Sequence, residues 1–240
     1  MLYVGSTDNQ MYAIYTNNQA AGTVKWAVNT TAPIATAAAF SLDFGTLYFQ
    51  SDVLYALDVV DGRILWSLRS GVISSRIPTL VGPDSTIYAA YGDPTFVYVA
   101  AVYGRGPNVG KVKFVMSPMN CGGIALDADG SLYVNDMSSN SLQAYYTYGP
   151  YAGKMDWSYG TGAATSTNPI LVNSTLIAGT WNNALYGVCT QESCASKFQW
   201  SLQLPTGASS HLFSAGIASA DGSRLFVGSL DYSVYCVALT

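Results

Sequence analysis

The chain repeats itself with a period of about 44 residues. A β run holding an apolar or aromatic core and ending in a small or polar turn occurs at Leu2–Ser6, Leu47–Ser51, Ile87–Ala90, Leu132–Asp136, Leu176–Thr180 and Leu225–Ser229, in steps of 45, 40, 45, 44 and 49 residues. Such a period decides the fold before any local propensity does, because each unit is one supersecondary element that cannot bury its faces alone. A second run follows: Met11–Ile14, Leu54–Leu57, Leu142–Tyr145, Leu185–Val188 and Val234–Val237. Its third residue is always small (Ala13, Ala56, Ala144, Gly187, Cys236), which suggests close approach by a neighbouring layer. A third run ends in a large ring: Trp26, Trp66, Phe114, Trp157 and Trp200. Gly22, Gly62, Gly110 and Gly153 sit four residues before their rings, and Ser196 takes that place in the last copy. A fourth run precedes each new copy, as in Gly123–Leu126 before Asp129-Gly130 and Gly216–Ala218 before Asp221-Gly222, and Asp-Gly between apolar runs signals a hairpin.

Four short strands per repeat predict an all-β chain, a β-propeller of four-stranded antiparallel blades. Counting from the second strand of one blade to the third of another gives 22 strands, so about six blades with the first and last incomplete. Residues 1–240 are expected to form a single propeller domain or a fragment of a larger one. The rings at Trp26, Trp66, Phe114, Trp157 and Trp200 are expected to pack between blades, each burying ~150–250 Å².

Composition agrees. Glu192 is the only Glu, and Tyr, Val, Thr and Gly dominate, which favours strands and turns over long helices. A net charge of −4 gives no basic stripe for nucleic acid. No apolar run reaches the ~18 residues of a membrane span, and Met1 leads directly into a strand-like Leu2–Gly5, not into a signal peptide.

The segment Ala56–Trp66 reads Ala-x-Asp-x-x-x-Gly-x-x-x-Trp and resembles the repeat of the pyrroloquinoline-quinone-type (PQQ-like) propellers. Copies one and four are looser, with longer inserts at Thr16–Ala21 and Thr147–Ala152. The resemblance implies the propeller fold. The family holds quinoprotein alcohol dehydrogenases and non-enzymatic assembly lipoproteins. The enzymes resemble one another in an adjacent Cys pair, a calcium held by Glu, Asn and Asp, and an Asp base. No adjacent Cys pair is present here, so no cofactor, metal or catalytic residue is carried over.

The remaining candidates are few. Cys189 and Cys194 flank a four-residue loop and are expected to form a disulfide, worth about 2 kcal/mol by loop closure. Cys236 is expected to be a buried small hydrophobe, and its pairing with Cys121 is left open. Asn29-Thr30-Thr31 and Asn173-Ser174-Thr175 fit the N-glycosylation sequon, and with the loop cysteines they point to an extracellular or periplasmic setting. His211 has no catalytic companion in sequence. Asp127–Ser131 lacks the closing Glu of a calcium loop and is read as a turn. Gly104–Asn108 is read as a flexible insert. Tyr91, Tyr103, Tyr148, Tyr151 and Tyr159 fall at or near loops, where tyrosine suits a contact surface. The expected function is a non-catalytic module binding a protein or polysaccharide through its end loops. The alternative is a fragment of a quinoprotein-like oxidoreductase.

Overall fold

A computed structural model describes residues 1–71, 77–92, 95–116, 120–165, 167–194, 197–204, 216–230 and 232–239. They form 22 strands in six antiparallel sheets, each sheet ordered as in the sequence. The chain divides into two compact units, 1–118 with 128–130, and 119–127 with 131–240. In the first unit, the opening sheet holds β1 (Leu2–Gly5), β2 (Gln10–Ile14) and β3 (Val24–Asn29). The second sheet is β4 (Ala39–Phe40), β5 (Thr46–Gln50), β6 (Val53–Asp58) and β7 (Ile64–Arg69), and the third β8 (Leu80–Val81), β9 (Thr86–Gly92), β10 (Val97–Tyr103) and β11 (Val112–Val115). In the second unit, the fourth sheet is β12 (Cys121–Leu126), β13 (Leu132–Asp136), β14 (Ser141–Tyr145) and β15 (Met155–Gly160). The fifth is β16 (Ile170–Val172), β17 (Thr175–Gly179), β18 (Ala184–Cys189) and β19 (Phe198–Gln203), and the sixth has three strands, β20 (Ile217–Ala218), β21 (Arg224–Gly228) and β22 (Val234–Ala238).

Register explains the small residue. Ala13 lies opposite Trp26, Ala56 opposite Trp66, Ala101 opposite Phe114, Ala144 opposite Trp157 and Gly187 opposite Trp200. A bulge follows each pair. The small side chain leaves room for the large ring to lean back across its own sheet and meet the ring two strands away. Tyr3 and Trp26 have centroids 5.6 Å apart, Tyr48 and Trp66 5.9 Å, and Tyr133 and Trp157 6.0 Å. A side chain on Gly187 would overlap the Trp200 indole. The expected approach by a neighbouring layer is therefore replaced by a ring of the same sheet.

Two of the spaced glycines, Gly62 and Gly110, serve the ring of the preceding sheet. Gly62 has φ +76°, and a Cβ there would lie 2.8 Å from Trp26 Cδ2. Trp26 Nε1 also donates to the Val59 carbonyl at 3.2 Å. Gly110 has φ +79° and would place a Cβ 3.2 Å from Trp66 Cδ2. Only glycine combines the left-handed turn with that approach. In the second unit, Trp157 packs against a core cluster that includes Leu176, Ala178 and Val188, and Trp200 against one that includes Leu225 and Val227. Phe114 occupies the same row of the third sheet, half-buried.

Candidate functional site

The loops leading into the last strand of each of the first five sheets are built on one plan. Tyr15 N donates to Thr23 O, Asp58 N to Arg63 O, Tyr103 N to Lys111 O, Tyr146 N to Lys154 O and Cys189 N to Lys197 O. The loops at residues 15–23, 103–111 and 146–154 share a second bond of 2.8 Å, from Gly22, Gly110 and Gly153 back to Tyr15, Tyr103 and Tyr146. Each also turns through a left-handed residue, Asn18, Gly106 or Gly149. The inserts in copies one and four are thus the same loop as residues 103–111, and Gly104–Asn108, expected to be flexible, is tied by Gly104 N to Ser85 O and Gly110 N to Tyr103 O.

The fourth sheet's copy is the most aromatic. Pro150 sets a short 3-10 turn over Gly149–Tyr151. Tyr148 is 67% exposed and Tyr151 58%. Tyr146 meets Tyr151 at 5.9 Å and donates its hydroxyl to Asp156 at 2.6 Å. That bond to the carboxylate raises the Tyr146 phenol above its usual pKa, with Glu192 adding in the same direction. Beneath the loop lies a small groove of about 80 Å³ between the fourth and fifth sheets, lined by Tyr133, Tyr146, Tyr148, Asp156, Trp157 and Thr190 among others. Lys197 Nζ sits 4.8 Å from the centroid of the groove's Trp157, and Lys154 Nζ 5.7 Å from that of Tyr151 in the loop above. Ring faces, hydroxyls and one exposed carboxylate suit non-covalent capture of an amphipathic surface.

Other sequence candidates scatter. Tyr91 and Tyr159 are in strands and Tyr103 ends β10, all partly buried. Tyr146, Asp156 and Thr190 were not singled out by sequence; the equal seven-residue steps Tyr15–Gly22, Tyr103–Gly110 and Tyr146–Gly153 were the available signal for the loop. Cys189 and Cys194 are joined, with Cα atoms 6.4 Å apart, across the loop at the base of which Cys189 is buried. Cys121 and Cys236 are both free, and Cys236 is exposed, not buried as expected: no fourth strand covers it among the described residues. Asn29 and Asn173 are exposed, Asn173 in a tight turn with φ +53°. Asp127–Ser131 closes as a turn, Asp127 N to Ser131 O. His211 lies outside the described residues. No group of three or more His, Cys, Asp or Glu that could hold a metal occurs among the described residues, and Glu192 is exposed in the disulfide loop, so the residues present do not fit a quinone–calcium centre. No described helix is long and apolar enough to cross a membrane.

The sheets are blades of a β-propeller, about six in number. Solved structures with this fold include Sqt1 of Chaetomium thermophilum bound to the N-terminus of the ribosomal protein L10, at TM-score 0.76 and 12% identity over 99% of this chain. Sqt1 alone is similar at TM-score 0.77 and 12% identity over 98% of it. The chain spans about two thirds of their length, 67% and 65%. No family model and no curated protein matches the sequence. The expected extracellular or periplasmic setting is corrected by this likeness: the matched propeller engages a ribosomal protein, an intracellular component.

Proposed function

We propose that the chain is a non-catalytic propeller that binds a protein partner through the tyrosine-lined groove between its fourth and fifth sheets. The observation that carries this reading is the loop at residues 146–154, which meets the same backbone bonds as its two counterparts yet alone adds Tyr148 and Tyr151 in exposed positions over a groove. Exposed, rigidly held tyrosines contribute large contact area at low entropic cost. The matched propeller, bound to a segment of a ribosomal protein, supports a protein partner over a polysaccharide. The Ala56–Trp66 pattern supports descent from PQQ-like repeats, without the quinoprotein activity.

The test compares affinity-purified native chain with the Tyr148→Ala/Tyr151→Ala variant. A protein recovered with the native chain should fall at least tenfold with the variant while the melting temperature stays put. Equal recovery, or saturable binding only to polysaccharide probes, overturns the reading.

A further inference from the structure

The loop closed by the Cys189–Cys194 bond stands against the tyrosine groove. Its first residue, Thr190, lines the groove together with Trp157. Thr190 is fixed from the neighbouring turn: its backbone N–H donates to Ser174 O at 3.0 Å and its hydroxyl to the same oxygen at 3.1 Å. Gln191 Nε2 donates to Ser174 Oγ at 2.8 Å. The Gln191 carbonyl then accepts from Cys194 N at 3.4 Å and from Lys197 Nζ at 3.2 Å. Lys197 is therefore held at two points at once, by a carbonyl inside the disulfide loop and by the face of Trp157, 4.8 Å from the ring centroid. The same loop reaches the groove a second way, since the Glu192 charge acts on the Tyr146 phenol. Residues 191–193 are exposed, and single hydrogen bonds in water hold a chain weakly. The covalent bond is what restricts this short segment to one conformation.

We propose that Cys189 and Cys194 form a redox switch for the groove. Oxidised, the pair holds the Gln191 carbonyl where it keeps Lys197 over the Trp157 face; reduced, it releases Lys197 and bares that ring. A bared indole face accepts a partner's cationic or aromatic side chain in place of Lys197. The inference rests on the reading of this groove as a binding site. The reductant is a dithiol. Cys189 is buried and Cys194 half-buried, so the dithiol's thiolate attacks Cys194 Sγ. The S–S bond breaks, and Cys189 leaves as a thiolate and takes up a proton. The dithiol's second sulfur then displaces Cys194 from the mixed disulfide, and Cys194 is protonated in turn. Two electrons and two protons pass to the chain, and the dithiol becomes a disulfide. Cys121 and Cys236 are already free thiols and take no part.

The test uses the full chain and dithiothreitol, with no partner present. Nuclear magnetic resonance of isotopically labelled indole nitrogens gives one N–H signal per tryptophan, and Trp157→Phe assigns that of Trp157. Reduction should shift the Trp157 signal and leave those of Trp26 and Trp66, in the first unit, where they were. Cys194→Ala should show the shifted signal with or without the reductant. Lys197→Met should show most of the shift while still oxidised, with little added on reduction. A Trp157 signal unmoved by reduction, a full further shift in Lys197→Met, or movement of all the indole signals together overturns the switch. The Tyr148→Ala/Tyr151→Ala recovery experiment is read separately. Partner loss there without a Trp157 shift here removes the switch alone; a shift here without partner loss there removes the groove as the binding site.

Discussion

The second and fourth sheets close their outer hairpins differently for the same structural purpose. In the second, Asp58 reaches Gly62 and Arg63 in the fewest residues, and the loop holds two valines and a charged group, with Arg63 3.9 Å from both Asp58 and Asp61. In the fourth, three more residues separate Tyr146 from Gly153, and they include Tyr148, Pro150 and Tyr151. Both loops end in a glycine with positive φ, and both are followed by a tryptophan opposite an alanine. The repeat thus dictates the base of the loop, its last glycine and the ring. What lies between is free of that duty, and there the fourth sheet places two exposed tyrosines.

The difference can be broken most severely at the shared ring. Trp157→Ala should cost about 3 kcal/mol, the lower end for a large buried ring because Trp157 is only half-buried, measured by urea unfolding. The glycines then separate by surroundings. Gly62→Ala meets both a left-handed backbone and the Trp26 ring and should cost about 2–3 kcal/mol. Gly149→Ala meets the same backbone with nothing within 4 Å and should cost about 1 kcal/mol. Equal costs would remove the ring cradle as the reason for Gly62.

The sequence made the 22 strands, the ring spacing and the glycine spacing legible because each is a within-repeat regularity. It did not show which ring each glycine serves. Gly62 cradles Trp26 from 36 positions earlier, not its own Trp66, and spacing to the nearer ring is equally regular. Cys236 misled for a related reason. Its slot is buried only where a fourth strand brings a ring, and the slot's own residues do not say whether one comes. The groove was half legible: Tyr148 and Tyr151 stood out as loop residues, whereas Thr190 joins them only because the fifth sheet packs beside the fourth. The compartment failed because short sequons and a near-neighbour cysteine pair arise in many sequences for reasons unrelated to secretion.

Alkali should sharpen the comparison. In the fourth sheet burial pushes the Cys121 thiol and the Tyr145 phenol each up to about 12, with the Asp136 charge adding to both. Their ordinary values are about 8.5 and about 10. Folded values above unfolded ones mean that this stability is fully present below the unfolded pKa and is lost as pH rises towards the folded one. The melting temperature should therefore decline from about pH 9 to about pH 12. Tyr145→Phe should remove the part of that slope above about pH 10, and Cys121→Ala the part that begins lower. A slope unchanged in both variants would assign the decline to other groups.

The smallest effects belong to the loops themselves. Arg63 is 3.9 Å from its acidic partners with its side chain 67% exposed, so solvent screens both pairs and Arg63→Ala should change stability by less than about 0.5 kcal/mol. Tyr148→Ala/Tyr151→Ala should likewise stay within about 0.5 kcal/mol, because both rings stand mostly in water. The two near-zero values carry different meanings. For Arg63 no binding change is expected to accompany the neutral stability; for the tyrosines a loss of partner should. If removing the tyrosines instead destabilised the fourth sheet by more than about 1 kcal/mol, their rings would belong to the packing of the repeat. The contrast between an economical loop and a functional one would then disappear.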